Sequence, residues 1–378
     1  MISAGEVSGD RIGAKLVEKI HEKRPEIEMY GMGGDYLRKK NVNIYVDVTD
    51  FSTVGFIEPV LYFPKLLHAF WIMKELLKTK RPDVLIVIDY QGFHMQLLKH
   101  AKKLGIPAAY FVAPQEWQWG TDEGGKLVSD HVTKVLAIFK QENEFYQRLG
   151  ADVEFIGHPV RDLVVPEFSK EIVYRKLNIP KNNKLLALFP GSRKQELKYT
   201  APHFIAAARC LQQNLSGLSV VISVVKPKWE NQIKDMCEQQ GLNDPILYTG
   251  NSHNLIEASD VSLVTSGTIT LEHAVLAKPF ITAYRFPDYS YWLTKKILGK
   301  RFKRLTYFSL PNMLLDEFVT PEFRQKDVNK DTLCEVGLRL FNDTVYYNYI
   351  QKKLKDVRDS LGAPGVFERA ADAVLKIL

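Results

Sequence analysis

Short apolar runs alternate with longer amphipathic stretches along the whole chain, and this alternation restricts the fold more than any other feature. A short strand followed by a helical stretch meets the next strand most readily as a parallel neighbour, so the pattern predicts an α/β protein of βαβ units around parallel sheets. In the first half the expected strands are Asn43 to Val46, Val84 to Asp89, Ala108 to Val112, Lys134 to Ile138 and Val153 to Gly157. In the second half they are Leu185 to Phe189, Leu218 to Val224, Ile246 to Tyr248, Val261 to Val264 and Phe280 to Tyr284. Between the series, Pro159 to Asn183 breaks the rhythm with Pro166, Pro180 and a polar run, which marks a connection between domains. A length of 378 residues fits two domains of roughly 150 residues each. The start is irregular: Ile2-Ser3-Ala4 runs straight into Gly5-Glu6-Val7-Ser8-Gly9-Asp10, leaving less than the roughly 5 residues of an ordinary strand. Either the first strand is very short or the chain as given begins late.

Composition excludes more than it selects. Apolar residues at 46% and charged residues at 25% are ordinary for a globular chain and exclude long disorder. An excess of 51 Lys+Arg over 44 Asp+Glu permits nucleic acid, an anionic membrane or a phosphorylated small molecule without choosing among them. The basic residues form no tract with a nucleic-acid-reading motif, so nucleic acid is not expected as a partner. Cys210, Cys237 and Cys334 lie far apart with no CxxC, so neither a disulfide nor a zinc site is expected, and a reducing compartment is. The apolar run Leu66 to Met73 contains His68 and is flanked by Lys65 and Lys74, too short and too polar for the ~20 residues of a membrane span. No secretory leader is legible, so a soluble or peripherally attached protein is expected. Without an Asp-x-Asp pair, a His/Cys cluster or a GxxxxGK[ST] loop, neither metal nor cofactor is expected.

In doubly wound domains ligands gather at the carboxyl ends of the strands, which singles out four loops. Gly5 to Asp10 opens a helix with a glycine-flanked turn suited to an anion or a sugar, or is a tight connection capped by Ser8 or Asp10. Asp89 ends an apolar strand, where partial desolvation favours a general base, although from position alone an N-cap for the helix beginning near Phe93 is the plainer reading. In Pro190-Gly191-Ser192-Arg193 the arginine offers a planar fork of donors for diphosphate, with backbone N–H groups and the Ser192 hydroxyl beside it; an exposed capping box with Glu196 is the plainer alternative. Ser266-Gly267-Thr268 begins a helix as an anion seat, and Glu272 stands a turn further on, placed to accept ribose hydroxyls or simply favouring the helix. Together they suggest a nucleotide in the C-terminal domain and an acceptor in the N-terminal one.

At these residues the sequence resembles the lipid-A-disaccharide synthase family, inverting hexosyltransferases of the two-Rossmann-domain (GT-B) type. The resemblance runs nearly end to end, through Gly5 to Asp10, Val54-Gly55-Phe56 with Glu58, Lys80 to Asp89, Pro114 with Trp117 and Trp119, and Phe155 to Pro159. It continues through Leu188 to Arg193 with Glu196, Thr265 to Glu272, Ala277-Lys278-Pro279, Tyr284-Arg285, Ser309 to Asn312, Gly362-Ala363 and Arg369-Ala370-Ala371. It implies two Rossmann-like doubly wound domains facing across a cleft: residues 1–165 for acceptor and lipid, residues 166–345 for UDP-sugar, and helices in 346–378 packing back on the first.

The implied reaction joins UDP-2,3-diacylglucosamine to 2,3-diacylglucosamine 1-phosphate, giving the β-1,6 disaccharide 1-phosphate and UDP. The implied catalytic residues are Asp89 and Arg193. UDP-sugar contacts fall on Gly191, Ser192, Arg193, Ser266, Gly267, Thr268, Glu272, Tyr284 and Asn312, and acceptor or acyl contacts on Gly5, Glu6, Ser8, Asp10, Val54, Phe56, Phe63 and Trp71. The implied place is the cytoplasmic face of the inner membrane, with its lipid surface as a partner and room for a homodimer. Gly92, His94 and Gly120 depart from the family, where many relatives carry an acidic residue, an asparagine and a basic residue, which leaves the acceptor contacts there open.

Acylated substrates suit the apolar stretch Phe51 to Met73 with its bordering lysines, and a second basic-aromatic patch spans Tyr291 to Arg304. Each also reads as a core-packing helix with a solvated face. Two other functions stay open: a UDP-sugar 2-epimerase of similar architecture, and a UDP-sugar or lipid-binding homologue without turnover.

Overall fold

Strands with both faces buried read as unbroken apolar runs, and Leu85 to Ile88 and Leu185 to Leu188, all fully buried, are the clearest here. The computed structural model describes residues 1–48, 58–287 and 306–378. They divide into one unit of Met1–Asp162 with Leu361–Leu378 and a second of Leu163–Ser360.

In the first unit the strands are β1 (Ile2–Ala4), β2 (Tyr30–Met32), β3 (Asn43–Val46), β4 (Leu85–Ile88), β5 (Ala108–Phe111), β6 (Lys134–Ala137) and β7 (Val153–Phe155). They form a parallel sheet in the order β3-β2-β1-β4-β5-β6-β7. The order reverses between β1 and β4, where Ala4 pairs with Ile88, so the loops after these two strands flank a topological switch point. In the second unit β8 (Lys184–Phe189), β9 (Leu218–Ser223), β10 (Ile246–Tyr248), β11 (Val261–Val264), β12 (Phe280–Tyr284) and β13 (Glu322–Arg324) follow the order β10-β9-β8-β11-β12-β13. Here the switch lies between β8 and β11, with Phe189 paired to Val264. Strands β2 and β13 escaped the sequence pattern because three residues carry no periodicity, and β13 reads Glu-Phe-Arg.

One face of the first sheet packs on Met73, Leu77, Leu97 and Leu98 from the helices Glu58–Lys80 and Gln91–Lys103. The helix Val7–Lys23 packs against the terminal helix Val366–Leu375, with Leu16, Val17, Ile20, Phe367, Ala370 and Ala371 buried, and Lys23 reaches Glu368 (2.8 Å) and Asp372 (2.5 Å). The chain leaves this unit after Asp162 and returns at Leu361. The His158 N–H donates to the Leu361 carbonyl (2.9 Å), Arg369 donates twice to the Ile156 carbonyl (2.7 and 2.9 Å), and Asp162 accepts from the Gly365 and Phe367 amides. A Cβ on Gly362 (φ +89°) would lie 3.1 Å from the Gly157 Cα. Phe155 to Pro159 and Gly362 to Arg369 are thus two halves of one seam.

The expected C-terminal segment 346–378 is split. The helix Thr344–Ser360 belongs to the second unit, against Ile269–Val275 and Leu310–Leu315, and only the last helix joins the first. The cysteine expectation is corrected outright: Cys210 and Cys334 form a disulfide, their Cα atoms 6.0 Å apart. Their helices, Ala201–Asn214 and Lys330–Asn342, pack side by side, and a sequence separation of 124 residues concealed the pairing. Cys237 is a buried free thiol. Among the described residues no helix is long and apolar enough to cross a membrane.

Candidate active site

At the first switch point β4 ends in an unusual turn. Asp89 and Tyr90 both take left-handed backbone conformations, φ +53° and +52°, which side-chain-bearing residues rarely adopt. The Asp89 N–H donates to the Phe111 carbonyl (3.1 Å), continuing the ladder one residue past the strand. Its own carbonyl accepts from the Tyr110 hydroxyl (2.8 Å) and from His94 Nδ1 (2.6 Å). Residue 89 opens to solvent at the strand end, yet protein crowds its carboxyl, and this desolvation raises its pKa above the ordinary aspartate value, partly offset by the Tyr90 N–H. That is the direction a general base requires.

The neighbouring loop explains its glycine: a Cβ on Gly5 would lie 2.2 Å from the Tyr90 ring, so only glycine lets that ring pack over the turn. Glu6 precedes the helix Val7–Lys23, and its charge, after desolvation, helps push the Tyr90 hydroxyl pKa up; Ser8 is exposed. Asp10 is a correction. Its carboxylate is 1% exposed and accepts the backbone N–H groups of Gly34 (2.8 Å), Tyr36 (2.9 Å) and Leu37 (3.2 Å), capping a short helix instead of facing an acceptor.

Sequence reading missed several residues that shape this end of the sheet. Ser3 and Tyr110 support the Asp89 turn from within strands, where they look like core residues, and His94, noted from sequence only as a departure from the family, supports it from a helix. Glu116 accepts from Gln91 Nε2 (2.7 Å) and the Thr121 N–H (3.1 Å) and occupies the space over Gly120, where a Cβ would lie 1.6 Å from its Oε2. A Cβ on Gly92 would meet open space. Trp117 packs on Phe139, which packs on His158.

The lipid-facing expectation divides. Val54 and Phe56 lie outside the described residues, as do the Phe63 side chain and the patch Tyr291 to Arg304. Leu66, Phe70 and Ile72 pack inward on the core. Leu67 and Trp71 stand outward, Trp71 57% exposed with Lys74 Nζ 4.6 Å from its ring centre.

At the second switch point, Gly191 has φ +111° and a Cβ there would lie 2.3 Å from Glu196 Oε2. That buried carboxylate accepts the Ser192 N–H (2.7 Å) and the Arg193 N–H (3.1 Å). These two amides are consumed by the cap, which corrects the expectation that they add to an anion seat. The arginine side chain stays 51% exposed, 3.3 Å from Glu196 Oε1, and Tyr284 donates its hydroxyl to the same oxygen (3.3 Å). Burial and the Glu196 charge push the Tyr284 pKa up to about 12.

From β11, the Thr265 N–H donates to the Phe189 carbonyl (3.1 Å), holding the two loops together. Ser266 donates to the Phe308 carbonyl (3.2 Å), while Gly267 and Thr268 are exposed, and a Cβ on Gly267 would meet nothing within 4 Å. Glu272 sits in the helix Ile269–Val275, its Oε2 3.6 Å from His253 Nε2. Asn312 is a second correction. Fully buried, it donates to the Thr320 carbonyl (2.9 Å) and accepts from the Val319 and Thr320 amides, so its side chain is engaged in fastening a turn.

A family model described as lipid-A-disaccharide synthetase matches residues 1–377. The chain belongs to the lipid-A-disaccharide synthase family. The family's curated member from Trichlorobacter lovleyi is 33% identical over all of this chain and 97% of its own length, and the one from Coxiella burnetii is 28% identical over all of this chain and 98% of its own. Among solved structures, a UDP co-structure of Staphylococcus aureus MnaA is similar with a TM-score of 0.66 at 13% identity, covering 100% of this chain and 97% of that one. Neisseria meningitidis UDP-GlcNAc 2-epimerase bound to UDP-GlcNAc is similar at 0.62 and 13%, covering 99% and 98%. At such identity the likeness shows the fold, a GT-B-like pair of parallel α/β sheets, and does not favour epimerisation.

Proposed function

We propose that this chain transfers a diacylglucosaminyl group from its UDP derivative to the 6-hydroxyl of 2,3-diacylglucosamine 1-phosphate. Membership of the family makes lipid A disaccharide synthesis its activity. The observation that carries the mechanism is the pairing of family loops at each switch point, one presenting a carboxyl of raised proton affinity and the other an exposed guanidinium.

Asp89 takes the proton of the acceptor hydroxyl as its oxygen attacks the anomeric carbon. The bond from that carbon to the diphosphate oxygen breaks on the opposite face, configuration inverts, and UDP departs with the electron pair. Arg193 offsets the charge that develops on the diphosphate, joined by amides of Ser266 to Thr268, an electrostatic aid set in place beforehand. Glu196 and Tyr284 hold the arginine, and Glu272 orients the ribose hydroxyls. Solved proteins of this fold that carry UDP or UDP-GlcNAc support a UDP-sugar in the second unit.

On the acceptor side Gly5, Glu6 and Ser8 border the sugar. The outward Leu67 and Trp71 with Lys74 meet the acyl chains and an anionic lipid surface at the cytoplasmic face of the inner membrane. Incubation with both diacylated substrates, followed by mass spectrometry, should reveal UDP and a disaccharide 1-phosphate in equal amounts. An epimerised UDP-sugar, or no turnover, defeats the reading.

A further inference from the structure

We propose that His94 is a positioning residue for the transfer reaction, donating its Nδ1–H to the Asp89 carbonyl and thereby holding Asp89 in the left-handed turn that presents its carboxylate at the end of β4. The inference rests on the reading of Asp89 as the base. Two successive side-chain-bearing residues at positive φ persist only where the surroundings over-determine them, and here the restraints can be named. The Asp89 carbonyl accepts twice, from His94 Nδ1 at 2.6 Å and from the Tyr110 hydroxyl at 2.8 Å. The His94 N–H donates to the Tyr90 carbonyl (3.1 Å), so backbone and ring of one residue grip both members of the turn.

A carbonyl oxygen only accepts, so Nδ1 carries the proton and Nε2 is left as the acceptor for the Ser3 hydroxyl at 2.8 Å. Ser3 lies in β1, and the relay therefore spans the switch point from one strand to the other. Tyr90, Phe93 and Tyr110 pack edge-on to the imidazole and fix its plane. His94 has no exposed surface to offer a substrate. Burial drives its pKa down to about 4, which keeps the ring neutral with a single N–H. Its effect on rate passes through the Asp89 backbone: released from the turn, the residue rotates and its carboxylate moves off the line to the hydroxyl, and a misplacement of about 1 Å is worth up to roughly 100-fold.

The test uses the full chain with both diacylated substrates, measuring kcat and both KM values for His94→Asn, His94→Leu, Tyr110→Phe and Asp89→Asn, with melting curves for each. Asparagine keeps one donor and should stay within about 3-fold of the parent kcat. Leucine keeps none and should lose roughly 10- to 100-fold in kcat with the KM for the UDP-sugar unchanged. Tyr110→Phe, the gentler removal of the second donor, should lose about 5-fold in kcat alone. If His94→Leu turns over normally while Asp89→Asn does not, the base stands and the positioning role is wrong. If folded His94→Asn is as impaired as His94→Leu, the ring itself is needed and the proposal also fails. Normal turnover by Asp89→Asn removes the base reading and this one with it. Should His94→Leu not fold, Tyr110→Phe decides: lost kcat at constant KM supports the role, and unchanged kcat overturns it.

Discussion

At the β1/β4 switch the loop after the fourth strand bends through two positive-φ residues and presents a carboxylate, braced by an imidazole, a phenol and a tyrosine ring over Gly5. At the β8/β11 switch the equivalent loop is an open Ser-Gly-Thr turn, and the charged group, Arg193, comes instead from the loop after the first strand of that sheet. Both places also spend a buried carboxylate on backbone amides, Asp10 on residues 34, 36 and 37 and Glu196 on residues 192 and 193. One strand order thus carries a packed, desolvated turn around a carboxyl at one switch point and an open turn near an exposed cation at the other, which suits the proposed proton acceptor and the proposed anion seat respectively.

That contrast can be broken by substitution. Asp89→Asn should lower kcat by roughly 10²–10⁴-fold and leave UDP affinity by calorimetry intact; a parallel loss of UDP binding would erase the division of labour. Arg193→Ala should lower kcat/KM by roughly 10²–10³-fold and weaken UDP binding, and Arg193→Lys should recover only part, because an ammonium lacks the planar fork.

The raised pKa of Asp89 sharpens the contrast through pH. Its acid limb in kcat should lie above the ordinary aspartate value of about 4, with activity lost as pH falls through it. A carboxyl whose pKa rises on folding destabilises the fold when ionised. Asp89→Asn should therefore melt higher than the parent at neutral pH, and the gap should close on acidification. A gap that widens towards low pH would mean that the folded protein favours the ionised form. Smallest is the glycine pair. Gly5→Ala drives a methyl into the Tyr90 ring and should cost about 2 kcal/mol, whereas Gly267→Ala meets only backbone strain, about 1 kcal/mol. Equal losses in chemical denaturation would show the two turns to be equally packed.

Much of the scaffold was legible because buried parallel strands are unbroken apolar runs: Val84 to Asp89 and Leu185 to Phe189 were placed to within a residue. The loops at their ends were legible as positions but not as directions. An aspartate or asparagine in a loop at a strand end or helix start reads the same whether it faces a ligand or, like Asp10 and Asn312, turns inward to cap backbone amides. Tyr110 was unreadable for the opposite reason, since it sits at a core position, and His94 stood out only as a departure from the family; the carbonyl they share reveals the use of both. The Cys210–Cys334 pairing depends on two helices meeting across 124 residues, which no local pattern encodes.

The seam between residues 155–162 and 361–369 makes the second unit an insertion within the first. On the ribosome the later unit therefore has its whole sequence available first, while the earlier one waits with an apolar face uncovered until Val366, Phe367, Ala370 and Val374 emerge. A stop codon just before that helix would spare the second unit and leave the first sticky and incomplete, so a late truncation would injure the part of the protein translated earlier.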